Sequence, residues 1–153
     1  MPSSLVVRPP ATADLAAWLP LWQGYNAFYG REGSTVLDPR ITGTTWQRFF
    51  DPAEPVFALV AERDGRLVGL VHYLYHRSTT RIELTCYLQD LFTAPEARGQ
   101  GVGRALIEAV CAQACDSGVH RVYWQMHETN VAGRRLYDTV ARHHGFIVYT
   151  LEV

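Results

Sequence analysis

The spacing of apolar residues along the chain changes period twice. Leu15, Trp18, Leu19, Trp22, Tyr25 or Asn26, and Tyr29 recur at three- and four-residue steps, the signature of one face of a helix. Thr12 or Asp14 can cap that helix, and Pro20 predicts a kink or a split within it. Ahead of it, "LVVR" (5–8) reads as a short strand ended by Pro9-Pro10. The run 38–51 predicts a second helix, with Asp38 as N-cap and Pro39 at the first helical position. From 55 to 93 the pattern turns to strands. Two β-rich runs (55–77) flank Asp64-Gly65, a type I′ turn signal, and 81–93 adds a third consecutive strand. Gly69 inside the second run predicts a bulge or a close backbone approach. From Gly101 to Ser117 the helical period returns in Val102, Leu106, Ala109, Val110 and Ala114, closed by Gly118. A strand (120–126), a helix (130–144, capped by Asn130 and stopped by Gly145) and a closing strand (146–153) complete the reading.

The order is β α α β β β α β α β. A meander followed by a strand–helix–strand crossover predicts an α/β (α+β) fold, with a mixed, mainly antiparallel sheet of about 6–7 strands and helices on both faces. The 153 residues suit one domain, 1–153, with 1–54 and 55–153 as its two parts. Apolar residues at 48% and charged residues at 19% mark a globular chain. A net charge of −1 gives no basic field for nucleic acid or an anionic membrane. No apolar run is long enough to span a bilayer, and the start of the chain lacks the features of a signal peptide. The expectation is a cytoplasmic protein with neither nucleic acid nor membrane as partner. Three cysteines make no disulfide framework. Cys111 and Cys115 share a helix face near His120, but no fourth ligand is evident, so no metal site is expected.

One stretch asks for more than architecture. "DLFTAPEARGQGVGRALIEAV" (90–110) places Gly99, Gly101 and Gly103 between a strand and a helix start. A helix N-terminus offers unpaired N–H groups and partial positive charge, and glycines let an anion approach the backbone. Arg98 and Arg104 flank the loop. This chemistry favours a phosphate or diphosphate over a glycine-rich helix start without a ligand. A P-loop lysine is missing, and a dinucleotide-binding spacing does not fit.

Arg98-Gly99-Gln100-Gly101-Val102-Gly103 resembles the R/Q-x-x-G-x-G/A signature of the GNAT N-acetyltransferase superfamily. "NVAGRRLYD" (130–138) resembles the helix that completes the cofactor site in that superfamily. The resemblance covers about residues 55–153. It implies acetyl-CoA as cofactor, with the amides of Gly99, Gln100, Gly101, Val102, Gly103 and Arg104 on the diphosphate and Arg98 beside it. It also implies that the strand ending at Thr93 splays from its parallel neighbour, so that Leu91, Phe92 and Thr93 pair with the pantetheine amides. Asn130, Gly133 and Tyr137 complete the site. The implied activity is direct N-acetyl transfer to a small-molecule primary amine such as a polyamine or an amino acid. A protein acetyltransferase or a non-catalytic coenzyme A module stays open as an alternative. A homodimer is implied as well, paired through sheet edges or the β-forming 146–153.

Acetyl transfer needs a neutral amine, a stabilised oxyanion and a protonated thiolate. The resemblance puts a backbone N–H near Leu91 on the oxyanion and makes Tyr137 the general acid. Polyamine-type relatives carry a glutamate where this chain has Gln89, so the base must be sought elsewhere. His127 comes first, having an ordinary pKa near ~6.5. Asp90 should face away from Gln89 and fix the loop, and Glu83 and Glu128 are further candidates through a water relay. In this fold residues 1–54 form the acceptor side. Tyr25, Phe28 and Tyr29 of "YNAFYG", with Gln89 and Trp124, are the expected acceptor-binding residues.

Overall fold

A computed structural model describes residues 3–153. Five strands, β1 (Leu5–Arg8), β2 (Val56–Arg63), β3 (Arg66–His76), β4 (Thr85–Thr93) and β5 (Val122–Tyr123), lie side by side in chain order. The first three pairings are antiparallel, and β4–β5 is parallel. Four helices, α1 (Leu15–Phe28), α2 (Pro39–Arg48), α3 (Val102–Asp116) and α4 (Val131–Val140), follow the expected order.

The local signals act as their chemistry requires. Asp64 (φ 52°) and Gly65 (φ 75°) make the two left-handed positions of a type I′ turn between Arg63 and Arg66. The register shifts so that Ala61 faces Gly69 while Glu62 faces Leu67, leaving Val68 as the extra residue of a bulge. A Cβ on Gly69 would stand 2.8 Å from Val102 Cγ1 and 3.0 Å from Leu106 Cδ1. Gly69 therefore serves both a bulge and the seating of α3. Asp38 caps α2 by accepting from Arg40 N at 2.9 Å. Pro20 does not split α1, which runs unbroken through it. The lost backbone bond and ring clash cost roughly 3 kcal/mol. Burial of Trp18, Leu21 and Trp22 in the same helix offsets that at about 1.5–3 kcal/mol each.

Both sheet faces are covered. Ala58 to Ala61 are buried in succession along β2. His72 meets Trp18 and Trp22 of α1 and Phe49 beside α2, while Gly69, three residues earlier, meets α3 on the other face.

The closing strand is absent, so the sheet has five strands and not six or seven. Residues 141–153 form no regular element, and Phe146, Ile147, Tyr149 and Leu151 are 73–89% exposed. β-propensity describes fit to a neighbouring strand, and no neighbour receives this segment. Helix α4 also stops at Val140, short of the expected 144.

Candidate active site

The site begins at a fault in β4. His72 pairs with Asp90 but Tyr73 pairs with Leu88, so Gln89 is an extra residue. This bulge rotates the strand locally. Tyr87, Gln89 and Asp90 consequently line one cleft, and the expectation that Asp90 faces away from Gln89 is corrected. The pairing of β4 with β5 is confined to Cys86↔Val122 and Tyr87↔Tyr123. From Leu88 onward the β5-facing edge of β4 has no strand beside it, and Leu91, Phe92 and Thr93 lie on that open edge.

After Thr93 a short turn, Pro95–Ala97, leads into the glycine loop. Gly99 (φ 73°) and Gly101 (φ 82°) take left-handed backbone, and a Cβ on either would project into open space. Gly101 is the N-cap of α3. The first amide returned into the helix is Ala105 N, to Gly101 O at 3.0 Å. The amides of Val102, Gly103 and Arg104 are thus the open donors of a helix N-terminus. Gly103 is small for another reason: its Cβ would come 3.1 Å from Leu136 Cδ2 of α4. Arg98 lies over the Phe92 ring (5.6 Å) and donates to Thr93 O at 3.3 Å. Arg104 reaches Thr139 Oγ1 at 3.1 Å. Gln100 accepts from Arg63 of the β2–β3 hairpin and donates to Glu96 O. Open amides, a cradle that side chains would fill and two guanidinium groups fit a diphosphate.

Helix α4 packs on the glycine loop through Leu136, and its Tyr137 lies near Tyr29 of the cleft wall without lining the cleft itself. Asn130 Oδ1 caps it by accepting from Gly133 N at 3.0 Å, and a Cβ on Gly133 would lie 2.6 Å from Asn130 Nδ2. Both residues therefore shape the helix start in addition to any ligand contact. Leu136 faces Gly103. Next to it, Tyr137 is half-buried, edge-on to Trp124 at 5.4 Å. Burial, and after it the neighbouring Tyr29 hydroxyl, push its phenol up to about 12.

The cleft itself encloses about 720 Å³ between the β3–β4 surface, α1 and the α2 region. Tyr25, Tyr29, Gln89, Asp90 and His127 line it. Phe28 does not. It sits one residue, about 100° of helix, away from Tyr29 and lines a second hollow with Pro20, Leu21, Gly24 and Phe92. Trp124 is not at the cleft either, because its ring is packed against Tyr137. Glu83 pairs with Arg81 at 3.5 Å, and neither Glu83 nor Glu128 lines the cleft. Val148 of the C-terminal segment borders it.

A buried polar chain ends in the cleft. Trp18 Nε1–H can only donate, and it donates to His72 Nε2 at 3.2 Å. The ring proton is thereby placed on His72 Nδ1, which donates to Asp90 Oδ2 at 2.9 Å. Trp18 is fully buried, His72 is 3% exposed and Asp90 8%. Asp90 is the lone carboxylate among the lining residues. Burial first, and the Asp90 charge second, raise the hydroxyls of Tyr25 and Tyr29 above the ordinary phenol range. His127 is held differently. Its Nδ1 accepts from Thr129 N at 3.3 Å and lies 2.6 Å from Thr129 Oγ1, so the neutral ring carries its proton on Nε2. Sequence reasoning missed His72. The available signal was a polar residue at an inward position of a strand whose neighbours are apolar. It also missed Arg31, which follows the aromatic run of α1 and lines the cleft.

Residues 18–146 match the acetyltransferase (GNAT) family. The chain belongs to that family. The acetyltransferase is 35% identical over 139 residues to the D-amino-acid N-acetyltransferase HPA3 of Saccharomyces cerevisiae, covering 90% of this chain and 84% of that one. Its fold matches the ribosomal-protein-alanine N-acetyltransferase of Brucella melitensis biovar Abortus 2308 (TM-score 0.79, 19% identity, 98% and 99% of the two chains). It also matches the aminoglycoside N-acetyltransferase AAC(6')-Iy in complex with CoA (TM-score 0.78, 16% identity, 99% and 97%). The enzyme is an N-acetyltransferase whose acetyl donor is acetyl-CoA. Among the described residues, no helix is long and apolar enough to cross a membrane.

Proposed function

We propose that the enzyme acetylates the primary amine of a small molecule, an amino acid or a similar compound, by direct transfer in the 720 Å³ cleft. The observation that carries this reading is the Gln89 bulge. It sets the open edge of β4 between the glycine loop and an aromatic cleft containing one buried carboxylate. The HPA3 relative acts on D-amino acids by its name, which agrees with an acceptor of this size.

Acetyl-CoA supplies a thioester carbonyl that an amine nitrogen can attack. The amides of Gly99 to Arg104, with Arg98, hold the diphosphate. The Leu91–Thr93 edge, together with Asn130, receives the pantetheine arm, and the Leu91 amide faces the developing oxyanion. Asp90 receives the acceptor's ammonium, held in orientation by His72, and passes its proton to cleft water. His127 offers no free lone pair in its neutral form, because Nδ1 is taken by Thr129 and Nε2 carries the proton. It serves instead as a donor at the cleft wall. Tyr137, protonated at neutral pH, gives its proton to the departing sulfur and is reprotonated from solvent, which takes up the proton that the acylated nitrogen loses. No cysteine relay is needed: burial pushes the Cys86 thiol up to about 12, and Cys111 and Cys115 lie exposed on α3. The exposed apolar residues 146–151 support a homodimer in which this segment finds its strand partner.

A thiol-release assay with acetyl-CoA and an amine panel, with products identified by mass spectrometry, tests the reading. N-acetylated small amines are expected. Release without acetylation of any small amine, or acetylation of protein substrates alone, overturns it.

A further inference from the structure

Arg31 has no role in the mechanism above, yet it is built with care. Its Nε donates to Asn26 Oδ1 at 2.6 Å, and its backbone N–H donates to Asn26 O at 2.9 Å. Asn26 is 4% exposed and is anchored in turn, with Nδ2 donating to Trp22 O at 2.8 Å. The guanidinium stacks at 5.8 Å from the Tyr25 ring centroid and 5.5 Å from that of Tyr29. Both rings line the cleft, and so does Arg31. Two guanidinium groups line it in all. Arg48 has a carboxylate partner, Glu54, at 3.7 Å, while Arg31 has none within 4.0 Å among the described residues. Its Nη1 and Nη2 make no hydrogen bond there either.

A half-buried arginine held through Nε, with its two terminal nitrogens uncommitted, presents the planar fork that matches a carboxylate. Asp90 lines the cleft near the same tyrosines: its charge raises the Tyr25 and Tyr29 hydroxyls while that of Arg31 lowers them. The cleft therefore holds one buried carboxylate and one guanidinium free of a carboxylate partner, both near the same tyrosine pair. That arrangement complements a zwitterion. A polyamine would set a second ammonium against Arg31, and a plain alkylamine would leave the guanidinium without a partner.

We propose that Arg31, oriented by Asn26, binds the carboxylate of the acceptor and selects amines that carry one near the reacting nitrogen. This rests on the small-amine reading above and narrows it. Asp90 takes the ammonium end and Arg31 the carboxylate end, so acceptor orientation is set by charge at both ends.

The test uses matched acceptors: leucine (both enantiomers), leucinamide and 3-methylbutylamine, with thiol release followed at saturating acetyl-CoA. The wild type should favour at least one leucine enantiomer over the two uncharged-end analogues in kcat/KM. In Arg31→Met that preference should fall by about ten- to a hundredfold, carried mainly by KM, as expected for loss of a charge-assisted pair. Arg31→Lys, which keeps the charge without the fork, should recover part of it. If Arg31→Met does not fold, the wild-type preference and its partial reduction in Arg31→Lys decide the matter alone. A wild type that turns over 3-methylbutylamine as well as leucine overturns the Arg31 assignment and leaves the amine reading standing. So does an Arg31→Met enzyme that loses activity equally on all four. No turnover of any of them, or of any other small amine, overturns both.

Discussion

Replacing His72 with phenylalanine isolates the polar chain behind Asp90. The ring contacts survive, since Phe occupies much the same volume beside Trp22 (5.2 Å) and Phe49 (4.7 Å). Two hydrogen bonds do not. The indole N–H of Trp18, a residue with no solvent exposure, is left without its acceptor, at about 1–3 kcal/mol. Asp90 loses a donor, worth about 1.5–3 kcal/mol for a bond to a charged group. Cleft water can replace part of that second loss, because Asp90 borders the cavity. The combined cost is about 2–4 kcal/mol. At ~2–4 °C per kcal/mol for a chain of this length, Tm should drop by about 4–16 °C. A carboxylate free to turn should also lower kcat/KM by about 10- to 100-fold. His72→Asn separates the two effects. Its amide N–H stands where Nδ1–H stood, so the rate should recover substantially while Tm stays low. Differential scanning calorimetry and steady-state thiol release measure both quantities. A His72→Phe enzyme with wild-type Tm and wild-type kcat/KM would refute the relay outright.

Three further outcomes follow from the same geometry. Asp90→Asn should lower kcat/KM by about 100- to 10,000-fold and recover partly toward pH 10, where the amine is already neutral, whereas His127→Ala should cost less than about tenfold; the reverse ranking in a pH series would return the base role to His127. Gly101→Ala places a side chain at φ 82° and in the anion cradle, so Tm should fall by a few degrees, from about 1–3 kcal/mol of backbone strain, and calorimetry should show acetyl-CoA binding at least about tenfold weaker; unchanged affinity in the folded variant would remove the loop from the cofactor site. Light scattering should give a dimer for the full chain and a monomer after deletion of residues 146–153, and a monomer in both would reject the pairing.

Much of the fold was legible because local chemistry and tertiary packing agree. Asp38-Pro39, Asp64-Gly65, Gly101 and Gly118 each sit where turn and cap chemistry requires, so the element order up to α4 follows from the sequence. The closing strand was misread because 146–153 has the composition of a strand but no neighbour in the chain, and pairing is not a local property. The glycine loop stood out in the sequence as a candidate anion site, yet only packing shows that Gly103 is small for Leu136 while Gly99 and Gly101 are needed for their backbone conformation. Asp90 was assigned to the wrong face because alternation holds only in an unbroken strand, and one inserted residue at Gln89 resets it. His72 and Arg31 escaped notice because each gains its meaning from distant partners. Trp18 lies 54 residues before His72 and Asp90 lies 18 after it, while Arg31 is defined by the cleft it faces.

We propose that acetyl transfer occurs between the glycine loop and the acceptor cleft, with Tyr137 of α4 supplying the proton to sulfur. Tyr137→Phe removes one oxygen and keeps the ring against Trp124. Its kcat, measured under saturating acetyl-CoA and acceptor from pH 6 to 10, tests the claim most directly. Because the phenol is held up at about 12, the wild type should show no alkaline limb from Tyr137 in that range. The variant should lose about 10- to 10,000-fold in kcat at every pH, with acetyl-CoA affinity and Tm little changed. A Tyr137→Phe enzyme with wild-type kcat would contradict it.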